Sequence, residues 1–528
     1  MSDVAARTTG FQERAWTHTS TARDAWIDSL IGLICIVPLL LTTHLPLVDL
    51  PGHLARQYVI RDWASSPYLQ SFYYVKWALV PNLALELFVL AARQVMSIDM
   101  AVRAFCISTM LLLFVGTRLV NRTLSDGQGR IYRVAPLLCY GGPFQYGFLS
   151  YCFGVGLAVL FFGLYLRVRT ASLARVAATL VPLGFVLMLC HLVSFALFAI
   201  AVGACELTHG FAAAGGITRR LPLELLKRQI RPVGCLVPVF LVFLWLSPSS
   251  GDFVAENVVQ FSTLHEKARS FVSIIMFTSP RLEVGLLALA MAGLAAALVT
   301  RTVRVHAIGL TTVAILLVVW LVLPHTAAGA AFIDYRLPWA IAFFLLAGLV
   351  PGPRYLVWLR PFGAYFGVLA LGRIGMIATF WLSWEPTLLA LQHALDTLPR
   401  GARLMVVEGR LPGEGIFRQP TLTRVASYAV ARRQVFDPGL FANMSGQLLF
   451  FQPHYTELWK QDNLGESPDS LDRLAPDYNY VLVLVPALAR ISSALPLVCQ
   501  ESGAYFALYK VVPEGTVPAS ERRAPCPD

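Results

Sequence analysis

The sequence predicts an α-helical polytopic membrane protein of about eleven transmembrane helices with a C-terminal soluble α/β domain, and three observations predict it. Of the 528 residues, 56% are hydrophobic and only 14% charged, with a mean hydropathy of +0.63, outside the range of soluble globular domains. Apolar runs recur from Trp26 to Leu382, each close to the ~20 residues a helix needs to cross ~30 Å of hydrocarbon. From Glu385 to Asp528 charges, prolines and turn residues return, so this segment is expected to bury a core of its own.

The expected organisation is a cytoplasmic tail over 1–25, a transmembrane domain over 26–384 and an extracytoplasmic α/β domain over 385–528. The first apolar run carries no small-residue cleavage site and follows a polar tail, which reads as a retained anchor. Spans are expected near 26–45, 101–120, 134–147, 152–166, 176–191, 193–207, 232–247, 283–299, 305–324, 338–350 and 361–382. Placing the N-terminus in the cytoplasm puts the basic clusters Arg118 to Arg133 and Arg219 to Arg231 inside, as the positive-inside rule requires. The net charge of +11 is therefore a topology signal. Nucleic acid is not an expected partner, because no basic patch with interleaved aromatics accompanies it.

The run Val80 to Met96, "VPNLALELFVLAARQVM", is apolar enough for a span. Counting it as one would turn both basic clusters outward. It is read instead as a helix lying in the outer interface, with Glu86 and Arg93 near headgroups. The first outer loop then covers 46–100 and opens with "PLVDLPGHLARQYVIRDW". Pro51 suits a first helical turn, and His53, Arg56, Gln57 and Ile60 follow at helical spacing, so one face could line a cavity. Asp49 is either the N-cap of this helix or a functional carboxylate, since acids at the mouth of a span are costly unless used.

Further along, "YGGPFQYGFLSY" (Tyr140 to Tyr151) breaks two spans with glycines and a proline. His191 marks a turn near the outer face and reads as a packed or capping residue. Charges between Ser247 and Leu282 are expected to solvate an interfacial helix. Asp334 and Arg336 stand just before a span, where an arginine can bind a phosphate and a nearby aspartate can orient it. Arg373 lies inside the last span, too deep for easy snorkelling, so it needs an interior partner or a lipid phosphate.

Seven of the nine cysteines lie in or beside apolar runs and no pair has C-x-x-C spacing, which argues against metal ligation by cysteine. Cys499 and Cys526 fall in the C-terminal segment and could pair in an oxidising compartment. In that segment Ala402 to Glu408 and Tyr478 to Pro486 read as buried strands, and Tyr505 to Val512 as an edge or closing strand. Thr423 to Phe441 reads as a helix and loop facing an acceptor.

The first span ending in an Asp-containing outer loop, the interfacial pattern that follows it, and "VDLPGHLAR" together resemble the GT-C superfamily of integral-membrane glycosyltransferases, bacterial type. The resemblance implies transfer of a sugar from a polyprenyl-phosphate donor to an extracytoplasmic acceptor, an envelope glycolipid or glycan, with inversion. It further implies Asp49 as the base, with His53, Arg56, Asp334, Arg336 and Arg373 around the donor phosphate or substrate. The location implied is the bacterial inner membrane. Many relatives carry a second acid in a later outer loop, which Tyr140 to Tyr151 lacks; either Asp334 or a loop carboxylate substitutes, or the enzyme works without metal on one base, and a divalent ion is left open. A lipid or glycan flippase is the alternative from another class.

Overall fold

The computed structural model describes residues 22–247, 259–275, 279–327, 330–408, 422–443, 447–463, 477–485 and 497–512. Most of the tail expected over 1–25 therefore lies outside the described residues, as do Asp252, Glu256 and Cys526.

Eight described helices are long and apolar enough to cross a membrane. They are α1 (Ala22–Leu41), α4 (Ile98–Leu124), α5 (Leu149–Val168), α6 (Leu173–Cys190), α7 (Leu192–Ala214), α8 (Leu221–Leu246), α10 (Pro280–Val299) and α13 (Tyr355–Asp396). Two 16-residue apolar helices, α11 (Ala307–Val322) and α12 (Ile333–Gly348), run between the same two ends of the bundle. Between the spans lie α2 (Leu50–Asp62), α3 (Ala84–Ala92) and the capped α9 (Leu264–Ser270).

The expected span at 134–147 is not a continuous helix. It is a 3₁₀ turn at Ile131–Val134 and two four-residue helices, Pro136–Cys139 and Gly142–Gln145. It nevertheless traverses the bundle alongside α1. Arg130, Tyr132 and Arg133 bond Asp24 and Asp28 at the start of α1. The Tyr140 hydroxyl reaches the Cys35 carbonyl at 2.7 Å midway, and Gln145 and Tyr146 receive Val48 and Asp49 beyond the far end. Gly141, Gly142 and Pro143 break it, because a Cβ at Gly141 would lie 2.3 Å from the Trp339 ring. A broken crossing is tolerated where protein buries it. Among the described residues eight helices meet the length and composition of a span; of the three other expected spans, one is this irregular segment and two are the shorter helices α11 and α12.

Helix α3 has only nine residues, about 13 Å of helix, far short of a membrane, so Val80 to Met96 is no span. Its Glu86 does not face headgroups as expected. It is 3% exposed and ion-paired with Arg56, because the helix packs its acidic face onto α2. Similarly, Lys267 on α9 is 4% exposed rather than solvating the surface. Its ammonium donates to the Trp320 and Leu323 carbonyls at 2.9 and 2.7 Å.

Helix α13 continues without a break to Asp396, carrying the chain from the bundle into a mixed sheet. That sheet comprises β2 (Leu404–Glu408), β4 (Tyr480–Leu484), β5 (Leu497–Gly503) and β6 (Phe506–Val511) in the order β2-β4-β6-β5. Strand β6 lies between β4 and β5, so Tyr505 to Val512 is not the edge that its polarity predicts; β5, whose exposed and half-buried residues gave no strand signal, takes that place. A ribbon of β1 (Tyr73–Val75) and β3 (Leu449–Phe451) joins the first loop to the C-terminal segment. Around it Phe72, Tyr73, Phe436, Phe451 and Tyr455 form an aromatic cluster with ring centroids 4.5–6.4 Å apart. Helices α14 (Ser427–Arg433) and α15 (Pro453–Asn463) complete the described segment.

Arg373 has an interior partner. It is fully buried, donates to Glu283 at 2.8 Å and to the Tyr140 carbonyl at 2.6 Å, and so ties α13 to α10 and to the broken crossing. Removing one member of a buried pair strands the other charge, at a cost of about 3–5 kcal/mol. Arg373→Leu is therefore expected to lower the unfolding temperature sharply in detergent, and Glu283→Leu added to it to restore much of the loss. Additive losses in the double variant would show that the two side chains do not act as a pair.

Candidate active site

Asp49 stands in the link between α1 and α2, immediately before Leu50. Its carboxylate makes no capping bond to α2, so the capping alternative raised by the sequence does not describe it. Backbone bonds hold it instead. The amides of Val48 and Asp49 donate to the carbonyls of Gln145 and Tyr146 at 3.2 and 3.0 Å. Gly147 makes the approach feasible: its φ of +86° is open to glycine, and a Cβ there would lie 3.0 Å from both the nitrogen and the Cβ of Asp49.

One carboxylate oxygen of Asp49 faces the Arg424 guanidinium at 3.4 Å, and the side chain keeps 16% exposure. Among the described residues the other oxygen has no protein partner. Burial raises the Asp49 pKa above the usual carboxylate value, while Arg424, then Arg336 and Arg56, pull it down. Arg424 comes from the C-terminal segment. It lies 4.2 Å over the Phe441 ring and donates to the Gly439 carbonyl. Asp437 fixes that turn by accepting from the Ser427 hydroxyl at 2.6 Å and the Gly439 amide at 2.8 Å. Gly52 lets Phe441 settle on α2, since a Cβ there would lie 3.0 Å from its ring.

His53 and Arg56 do not line open space, as their shared face predicts. They are 6% and 0% exposed. His53 Nε2 is 3.0 Å from the Gly147 carbonyl, which requires that nitrogen to carry the proton, and Nδ1 then accepts from Arg56 at 3.2 Å. Burial and the Arg56 charge hold its pKa down at about 3, so the ring is neutral. Arg56 is taken up by Glu86, His53 and Gln447. Both residues support the Gly147 turn from beneath.

Asp334 does not orient Arg336. Residues two apart on a helix point to different faces, and Asp334 instead accepts from His325 Nδ1 at 2.9 Å, with Lys267 at 3.4 Å. Arg336 lies near Asp49 and has no ion-pair partner among the described residues. Its guanidinium lies 3.8 Å over the Phe148 ring and donates to the Ala331 carbonyl at 3.0 Å, while its Nε is buried and unpartnered.

The other neighbour of Arg336 is His191 Nε2, at 3.3 Å. His191 Nδ1 also receives the Val193 amide at 3.1 Å as the N-cap of α7. A neutral imidazole accepts at one nitrogen only, so the arrangement brings two N–H donors together at one of these contacts. Both groups are therefore donors without a matched acceptor at that contact. Tyr146, Phe148, Phe332 and Tyr335 wall the space with rings 5.4–6.4 Å apart. Phe332 adopts a φ of +59°, a conformation uncommon for a bulky residue.

The structure thus brings Asp49 and Arg336 together and assigns His53, Arg56, Asp334 and Arg373 to internal pairs. Sequence reasoning missed Arg424 within an otherwise noted helix-loop stretch, and treated His191 only as a cap. Cys205, Glu206 and His209 on α7 place ligand atoms within 4.8 Å of one another. Arg169 at 2.9 Å and Arg228 at 3.9 Å already serve Glu206, and two guanidinium groups there repel a cation.

No family model and no curated protein sequence matches the chain. Among solved structures it is similar to ArnT from Cupriavidus metallidurans bound to undecaprenyl phosphate, with a TM-score of 0.49 and 11% identity over 95% of this chain and 100% of that one.

Gly147→Ala is expected to cost about 1–2 kcal/mol from backbone conformation alone, with a further loss from the contact with Asp49. Gly363→Ala, where nothing lies within 4 Å of the added methyl, serves as the control and should be neutral or stabilising in its helix. Thermal unfolding of the two purified variants tests this, and equal stability would remove Gly147 as a constraint.

Proposed function

We propose that this protein is a membrane glycosyltransferase that moves a sugar from a polyprenyl-phosphate donor to an extracytoplasmic acceptor, an envelope glycolipid or glycan, with inversion. The observation that carries the reading is the pairing of a carboxylate oxygen without a protein partner on Asp49 with a nearby arginine, Arg336, that lacks an ion pair and faces a second donor, His191. A base and an anion site are the two elements that displacement of a phosphate from an anomeric carbon requires.

In this reading the Asp49 carboxylate takes the proton of the acceptor hydroxyl as its oxygen attacks the anomeric carbon. The bond from that carbon to the phosphate oxygen breaks on the opposite face, and the electron pair leaves with the polyprenyl phosphate. Arg336 and His191 hold the departing phosphate oxygens. Arg424 keeps Asp49 ionised despite its burial. His53, Arg56 and Glu86 position the turn against which Asp49 rests, and Asp334 and Arg373 act through packing.

The proposed setting is the bacterial inner membrane, with a cytoplasmic N-terminus, the transmembrane region over 26–384 and an extracytoplasmic domain over 385–528. Two features support that orientation: the arginine bias among the loops, and the state of Cys499, which is disulfide-bonded, a state that persists in oxidising compartments.

Turnover of a polyprenyl-phosphate sugar with extracted envelope glycolipids tests the assignment. Asp49→Asn should lose roughly 10²–10⁴-fold in rate, the usual worth of a general base. Full activity in a folded Asp49→Asn protein sinks the reading. The base must be ionised and its pKa is raised, so the acid limb of the rate profile should lie above the ordinary carboxylate value of ~3.9. Arg424 favours the charged form, so Arg424→Met should move that limb to higher pH, and a shift to lower pH would contradict the role given to Arg424.

A further inference from the structure

On the flank of α2 away from Gly147, the end of α1, the first turn of α4, the end of α13 and α14 enclose a cavity of about 510 Å³, within the size range of small-ligand sites. Its mouth is wet, since Asp99 and Arg432 are exposed. Its depth is not. Gln392 is 6% and Tyr428 5% exposed, and among the described residues neither the Gln392 amide nor the Tyr428 hydroxyl has a hydrogen-bond partner. Their polar atoms are not sealed in the packing; they open onto the cavity. Water entering the cavity can satisfy both, so the amide and the hydroxyl are donors and acceptors that an occupant could take over from solvent.

The rest of the lining indicates its chemistry. Asp99 and Asp396 are matched by Arg432 and Arg433, and Arg432 already donates to Asp396 at 2.6 Å. Asp99 accepts from the Tyr58 hydroxyl. A charge-balanced wall disfavours a phosphate as much as an amine, and carboxylates and amides along it disfavour a lipid tail. The rings of Tyr58 and Tyr428 offer flat apolar faces between these polar groups, with His44 edge-on to Tyr428 at 6.1 Å. Donors, acceptors and ring faces in one neutral pocket suit a hydroxyl-rich ligand.

We propose that this cavity is a saccharide subsite that holds a neutral sugar unit of the acceptor, further along the glycan from the unit whose hydroxyl Asp49 deprotonates. The inference rests on the transferase reading for its link to Asp49, and α2 supplies that link. Tyr58 and Leu54 line the cavity and Asp49 precedes the first turn of the same helix, about 13 Å away at 1.5 Å per residue. A short oligosaccharide spans that distance, and one rigid helix then sets both ends of the acceptor.

Saturation-transfer NMR on the full chain in nanodiscs tests the subsite, with cellobiose, N,N′-diacetylchitobiose and glucose 6-phosphate as probes. A neutral disaccharide should bind saturably, and at least fivefold more weakly in Gln392→Leu and Tyr428→Phe. Absence of neutral-sugar binding, equal binding by the wild type and both variants, or preference for glucose 6-phosphate overturns the proposal. Unfolding temperatures check that the variants fold, and Tyr428→Phe decides alone if Gln392→Leu does not.

In turnover assays the two variants should raise the acceptor KM at least fivefold with the donor KM unchanged. Turnover that requires Asp49 but shows an unaltered acceptor KM in both variants leaves the transferase standing and removes this subsite. Sugar binding that depends on Gln392 and Tyr428 in a protein without turnover does the reverse.

Discussion

The site depends on one close approach, that of the Gly147 turn to the backbone of Asp49. Two amide-to-carbonyl bonds, from Val48 and Asp49 to Gln145 and Tyr146, fix the direction of the chain as it leaves α1, and His53 fixes the turn itself through the Gly147 carbonyl. These bonds satisfy the local backbone without the Asp49 side chain. The carboxylate makes no capping bond to α2, whose second residue, Pro51, has no amide to offer, and it remains available, with one oxygen toward Arg424 and, among the described residues, one without a protein partner. A side chain at position 147 would crowd the backbone and Cβ of Asp49 and press the two segments apart.

The second constraint is electrostatic. Taking an arginine out of water is costly unless a carboxylate or several acceptors meet it. Arg56 and Arg373 obey this through Glu86 and Glu283, and the same logic at the opposite end sets Arg118, Arg130 and Arg133 on Asp24 and Asp28. Arg336 departs from the pattern. It rests on an aromatic face, has one carbonyl acceptor and confronts a histidine that is itself short of acceptors. Among the described residues Arg56 and Arg373 meet carboxylates, whereas the half-buried Arg336 does not.

The C-terminal segment is part of the candidate site. It contributes Arg424 to Asp49, and its β3 strand pairs with β1 of the first loop. The aromatic cluster around Phe436 cements that joint, and Asp437 shapes the turn that carries Arg424's support. The first loop and the C-terminal segment thus form one structure over the end of the bundle, which explains how both Asp49 and the cavity beside Tyr58 come to be shared between them.

Much of this was legible in the sequence, because hydrophobic runs and arginine placement are local quantities. The apolar helices, the exclusion of Val80 to Met96 as a span, three of the C-terminal strands and the choice of Asp49 as a candidate follow from residue type, spacing and arginine placement. The glycines and proline of 141–143 signalled a break, but the 3₁₀ turn at Ile131–Val134 and the brevity of the helix after it were not legible, since their apolar composition matches a helix. Nor did spacing distinguish the arginines. Arg56, Arg336 and Arg373 look alike as buried cations; which of them keeps its charge free depends on Glu86 and Glu283 arriving from elements remote in sequence. By itself the sequence determined a helical membrane protein with a carboxylate at the mouth of its first span. Tertiary structure alone decided that Arg424 and Arg336, far apart in the chain, are the cations that bear on it, because ion pairing is settled by distance in space and not along the polymer.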